Sequence, residues 1–231
     1  MKKVLWVIGV FMFLVMSATP TFAAEYSDKE YNEGVALIEK ANAEIDKKIA
    51  ESVEKADKLT NEYLNKIRGK HAVEIEKLEL EITELSSEIA GGNLSAEEVA
   101  KREKKIGELQ AKIAEVQKRT KDHILEAQPA IDAFVSDFLH ATDLTDEELL
   151  ETSRVLEASL TGKFKIVKET EDYIKELNEV IEDCYNVTLE ISERAIAKAA
   201  EKGVIAECSW ILVQFGYKSE WIDPIKIVGE N

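Results

Sequence analysis

The stretch Ile82-Thr83-Glu84-Leu85-Ser86-Ser87-Glu88-Ile89-Ala90-Gly91-Gly92-Asn93-Leu94-Ser95-Ala96-Glu97-Glu98-Val99 decides the fold. Apolar residues recur at three- and four-residue spacing up to Ile89, the pattern of an amphipathic helix. Gly91-Gly92-Asn93 then removes the helix formers together, and Ser95 with Glu98 three residues later forms a capping box that opens a new helix. The stretch predicts two helices joined by a tip at residues 91–95.

N-terminal to the tip, Asp28 to Ala90 contains no proline, and only Gly34 and Gly69 interrupt a run rich in Ala, Glu, Lys, Leu and Ile. This predicts one very long helix, softened at Arg68-Gly69. Beyond the tip, a second helix is expected to about His140, kinked by Pro129. If the two arms fold back antiparallel about Leu94, facing residues have numbers adding to about 188. That register sets Ile75 against Ile113, Ile82 against Ile106 and Ile89 against Val99. Further from the tip it sets Leu64 against Ile124, Tyr63 against Leu125, Val53 against Val135 and Ile49 against Leu139. Leu85 alone meets charge, at Arg102 or Glu103. Arms of about 45 residues at ~1.5 Å rise make a rod of roughly 70 Å.

C-terminal to the arms, Thr145 with Glu148 is a second capping box, opening a short helix to about Leu160. Thr161-Gly162 leads into a last helix from about Lys163 to Lys202, ended by Gly203. Its stripe of Ile166, Tyr173, Ile174, Leu177, Val180, Ile181, Cys184, Ile191 and Ala195 needs a partner, and residues 28–65 and 125–141 at the base of the hairpin are the expected one. Val204 to Phe215 and Trp221 to Val228 are rich in β-branched and aromatic residues and are joined by Gly216-Tyr217-Lys218-Ser219. They predict a β-hairpin, with Pro224 at an edge or bulge. The expected fold class is all-α, a long antiparallel coiled-coil hairpin projecting from a three- or four-helix bundle, with a small C-terminal β-hairpin. Its parts are residues 24–69 (base of the first helix), 70–124 (projecting hairpin), 125–203 (bundle) and 204–231 (β-hairpin).

Residues 1–23 read as a signal peptide. Lys2 and Lys3 precede an apolar run from Val4 to Val15, and Thr21 and Ala23 sit at the small-residue positions of a cleavage site before Ala24. The run is too short for the ~20 residues of a membrane span, and no later segment is long and apolar enough, so the mature chain is expected to have no transmembrane segment. Lys plus Arg number 30 against 46 Asp plus Glu, a formal charge of −16. Loss of Lys2 and Lys3 makes the mature chain more acidic still. Such a balance argues against nucleic acid, which requires a basic footprint, and against an anionic membrane surface.

No catalytic, cofactor-binding or metal-binding motif stands out. His71, His123 and His140 form no HExxH, their expected neighbours across the hairpin are not histidines, and no phosphate-binding glycine loop is present. Cys184 and Cys208 are the only cysteines, and an exported chain with an even count invites a disulfide. Reach opposes it. Cys184 to the helix end is ~27 Å, and a strand returning to Cys208 recovers only about 17 Å, a shortfall beyond the Cα spacing a disulfide tolerates. An intrachain bond and two buried thiols remain alternatives.

These features imply an exported, non-enzymatic interaction or scaffold protein, periplasmic, cell-surface or secreted, that binds a protein partner or itself. Trp210, Phe215, Tyr217 and Trp221 are the candidate interface residues, because aromatic residues beyond core needs are enriched at interfaces. The layout of leader, compact base and projecting two-helix arm resembles, in architecture, the periplasmic Skp family. That resemblance implies a holdase chaperone, although the charge of this chain is opposite to the basic character of that family. A helical pore-forming toxin is a third alternative, with Ile205 to Phe215 as its only candidate insertion segment.

Overall fold

Ser27, Ser95 and Thr145 each start a helix by the same chemistry. In all three the hydroxyl accepts from the backbone N–H three residues on, and the Glu at that position, Glu30, Glu98 or Glu148, accepts from the cap backbone. The computed structural model describes residues 26–141, 144–160 and 164–230, so the signal peptide expected at residues 1–23 lies outside the described residues. The described residues are mostly helical, 78%, with five helices followed by a small C-terminal antiparallel β-hairpin region in two sheets.

Helix α1, Asp28–Ala90, runs for 63 residues and breaks at Gly69, whose φ of 79° and ψ of 156° lie in a region open essentially only to glycine. Arg68 bridges this break, its guanidinium 2.6 Å from Glu76 and 3.7 Å from Asp132. Beyond the tip come α2, Ala96–Arg119, and α3, Asp122–His140. The expected single second helix is therefore two, and the interruption is not at Pro129. Thr120 and Lys121 take extended backbone angles, while Pro129 lies inside α3. Helix α4 is Asp146–Ser159 and α5 is Ile166–Ala200.

The first half of α1 is antiparallel to α5. Glu33 pairs with Lys202 at 2.7 Å, Lys48 with Asp183 at 2.6 Å and Lys66 with Glu169 at 3.3 Å, marking the two helices off like rungs. Between them Ile38, Ala41, Ile45, Ser52, Ala56, Tyr63 and Ile67 of α1 are buried, as are Ile166, Thr170, Tyr173, Leu177, Val180, Cys184, Thr188, Ser192, Ala195 and Ala199 of α5. Many of these are small, which lets two backbones approach closely. The second half of α1 meets α2 instead. Ile75, Leu78, Ile82, Leu85 and Ile89 are half-buried, and Leu109 and Val116 are buried. Charged pairs Arg119–Glu74, Lys105–Glu81 and Arg102–Glu88 flank the seam.

Toward the base the expected register fails. Tyr63 packs edge-on against Phe138 at 5.7 Å, thirteen residues beyond the expected Leu125, and His71 hydrogen-bonds Gln128 at 2.8 Å. Leu139 is 60% exposed and does not cover Ile49. The breaks at Gly69 and Thr120-Lys121 uncouple α3 from the register set by the tip, and α5 takes the stripe of α1 that the second arm was expected to fill.

Strands β1 (Val204–Cys208), β2 (Ile211–Phe215), β3 (Lys218–Ile222) and β4 (Ile225–Glu230) form one ribbon interrupted in the middle. β1 pairs with β4 and β2 with β3, all antiparallel. Pro224 falls in the interruption, where its carbonyl still accepts from Ser209 N at 2.6 Å. β1 lies mainly on α5 and β4 on α1, whereas β2 lies on α1 and β3 on α5. The ribbon thus turns over between its halves, an extreme case of strand twist.

Candidate functional site

The hairpin turn is clamped to the helices through an aromatic and polar cluster. Tyr63 stacks on Tyr173 with centroids 4.5 Å apart, and Tyr217 lies 5.8 Å from both Phe138 and Tyr173. Burying these phenols requires partners, and they have them: Tyr63 Oη lies 2.9 Å from Thr170 Oγ1, Tyr173 Oη 2.7 Å from Thr60 Oγ1, and Ser153 Oγ 2.8 Å from Thr170 Oγ1. Burial pushes both Tyr63 and Tyr173 up to about 12. For Tyr217, burial and then the neighbouring Asp146 push the phenol up further.

Asp146, the first residue of α4, organises the clamp from a helix N-terminus, where a carboxylate is favoured. It accepts from Tyr217 Oη at 2.5 Å and Asn178 Nδ2 at 3.1 Å, and lies 2.6 Å from Lys218 Nζ. Lys218 also donates to Asn178 Oδ1 at 2.6 Å. Burial pushes the Asp146 carboxyl up, but the hydrogen bonds from Lys218, Tyr217 and Asn178, with the Lys218 charge, outweigh it and hold the carboxyl below its usual value. With every charge answered, this cluster reads as a fastening.

The fastening is one end of an open groove of about 830 Å³ between α5 and β3. Along α5 it is lined by Asn178, Ile181, Glu182, Tyr185 and Asn186, and along the ribbon by Trp210, Lys218, Glu220, Trp221 and Ile222. Trp210 is 57% and Trp221 54% exposed. Trp221 is paired across the ribbon with Leu212, also exposed.

Of the four expected interface residues, then, Trp210 and Trp221 are on the surface at one groove, while Phe215 and Tyr217 are inside the core. Strand alternation accounts for part of this split, since Val213 and Phe215 share the inward face and Leu212 the outward one. Tyr185, Glu182, Glu220, Asn178 and Asp146 were not singled out from sequence. The available signal was Tyr185, an aromatic residue beside the buried stripe of α5. Cys184 is buried beside Ser52 and Lys48, whereas Cys208, near Asp223 and Glu193, is only half-buried, and both are free thiols.

Among the described residues no group of three or more His, Cys, Asp or Glu is placed to hold a metal ion, and no helix is long and apolar enough to cross a membrane. The three histidines are scattered: His71 bonds Gln128, His123 lies against Phe164, and His140 bonds the carbonyl of Ser136. No protein family, curated protein or solved structure matches the chain.

Proposed function

We propose that this chain is an exported, non-enzymatic interaction or scaffold protein of the cell envelope or extracellular space. It binds a protein partner, or another copy of itself, through its base and C-terminal ribbon. The distal half of α1 with α2, read as an antiparallel coiled-coil arm standing on a helical bundle, sets distance. The observation that carries this reading is where apolar surface is left over. Ile205, Trp210, Ile211, Leu212, Trp221 and Val228, all on the ribbon, are exposed. On the arm the large apolar residue left equally bare is Leu80. Side chains of this kind gathered on one element mark interaction surfaces.

The test is to replace residues 70–120 by a short loop and, separately, to make Trp210→Ala with Trp221→Ala. The proposal expects the arm deletion to remain folded and to keep partner capture or self-association, measured by pull-down and light scattering, and the tryptophan variant to lose it. If the arm deletion abolishes capture while the tryptophan variant keeps it, the arm is the recognition element and the holdase reading replaces this one.

A further inference from the structure

The groove between α5 and β3 carries an acid and an aromatic residue on each wall. On α5, Glu182 and Tyr185 are three residues apart and so are neighbours on one helix face. On the ribbon, Glu220 and Trp221 border the same space, and Trp210 joins them. Neither Glu182 nor Glu220 has an ion pair or a hydrogen bond among the described residues, and both are exposed. Lys218, the cation among the described lining residues, is already committed. Its side chain is 16% exposed, its Nζ lies 2.6 Å from Asp146, and it donates to Asn178. The groove therefore holds negative charge that it does not answer itself. Ile181, half-buried, and Ile222, buried, add apolar lining.

One kind of side chain uses all of these features. A guanidinium is planar and weakly hydrated, stacks on aromatic faces and meets carboxylates with paired hydrogen bonds, and its stem covers apolar surface. A lysine ammonium is a compact, strongly hydrated point charge and uses fewer of them. An acidic side chain would meet Glu182 and Glu220. The fold already contains one pairing of a cation with an aromatic face, Lys218 Nζ lying 5.6 Å from the ring centre of Tyr217. The groove, about 830 Å³, is larger than a guanidinium alone. Asn178 to Asn186 runs ~12 Å along it, so residues flanking the arginine have room as well.

We propose that this groove receives an arginine side chain of a partner protein, its guanidinium held by Glu182 and Glu220 and stacked among Trp210, Trp221 and Tyr185. Recognition is by side chains, with no pairing of the partner's backbone to the ribbon. This rests on the reading of the base and ribbon as the binding part and names the chemistry of what they bind. Arginine, tryptophan and tyrosine dominate binding energy at protein interfaces, and the groove already supplies the latter two.

The test uses the chain from Ala24 onward, the expected mature product, in which Trp210 and Trp221 are the only tryptophans, so intrinsic fluorescence reports the groove. The probes are blocked peptides of about five residues, long enough to span the groove, with arginine, citrulline, lysine or glutamate central among glycines, and the free guanidinium ion. The arginine peptide is expected to bind saturably, at least about tenfold more tightly than the glutamate peptide, the guanidinium ion or the citrulline peptide, which keeps the shape without the charge. The lysine peptide should bind more weakly than the arginine peptide. Binding should weaken as salt rises from about 0.1 M to about 1 M. Glu182→Gln with Glu220→Gln, both at exposed positions, should weaken it at least about tenfold. Glu84→Gln with Glu103→Gln, the same charge change on the arm, should not. Unchanged circular dichroism shows that both pairs of variants stay folded. Equal weakening by both pairs, or equal or tighter binding of the citrulline, lysine or glutamate peptide or of guanidinium, each overturns the proposal. If no peptide binds while Trp210→Ala with Trp221→Ala still abolishes partner capture, the arginine site is wrong and the binding role of the base stands. If those tryptophan variants capture normally, both fall.

Discussion

Gly216 shows how closely the ribbon is fitted to the helices. Its φ is +57°, and a Cβ there would lie 2.6 Å from Tyr173 Oη and 2.7 Å from Thr60 Oγ1, two atoms already hydrogen-bonded to each other. Gly216→Ala is therefore expected to destabilise the fold by about 1–3 kcal/mol, read by chemical denaturation. The opposite outcome is expected at Asp223. Burial raises its carboxyl above the usual value, so the folded state keeps its full stability below the unfolded value near ~4 and loses part of it as pH rises through the folded one. Asp223→Asn should raise the melting temperature at neutral pH by ~2–4 °C. The gain should vanish below about pH 4, where the native acid is protonated in both states. An equal gain at all pH values would mean that the carboxylate charge is not the cause.

Apart from the break at Thr120-Lys121, the helices and the β character of the tail were legible in the sequence because their signals are local. Capping boxes at Ser95 and Thr145, the glycines of the tip, Gly203 and the β-branched tail each act within a few residues. The partition of α1 between two partners was not legible. Nothing near Tyr63 states that its neighbour is Phe138, because that contact depends on breaks at Gly69 and Thr120-Lys121 whose geometric effect accumulates away from the tip. Of the groove, the two tryptophans could be picked out by composition, whereas Glu182 and Tyr185 of its other wall belong to α5 and meet them only through packing. Near the tip the register should hold, and the Lys105–Glu81 pair at 3.5 Å adjoins the expected contact of Ile82 with Ile106. Cysteines placed at 82 and 106, in a chain without Cys184 and Cys208, should crosslink within one molecule, as seen by unchanged mass on non-reducing gels. Crosslinking chiefly between molecules would point to exchange of arms.

Across the chain as a whole, α1 belongs to two separate packing regimes. Its distal half is held by a two-helix seam with charged flanks, and its proximal half by α5 and the ribbon together. Near its start, Asn42 binds both the backbone N–H and the carbonyl of Ile225, at 2.8 and 2.9 Å, while Ile38, Ala41 and Ile45 share a cluster with Val204 and Ile225. Removing residues 204–231 should therefore cost cooperative unfolding of the proximal half while leaving the distal arm helical, separable by hydrogen exchange. Uniform loss of protection in both halves would show that the two regimes are one. The same closure has a consequence for synthesis. A chain made from its N-terminus at about 5–20 residues per second leaves the start of α1 without its final covering for roughly ten to forty seconds, until the ribbon follows. Over that interval the nascent chain holds an uncovered helix face that either a folding helper or a transport channel can occupy, and the last segment to arrive is the one that ends that availability.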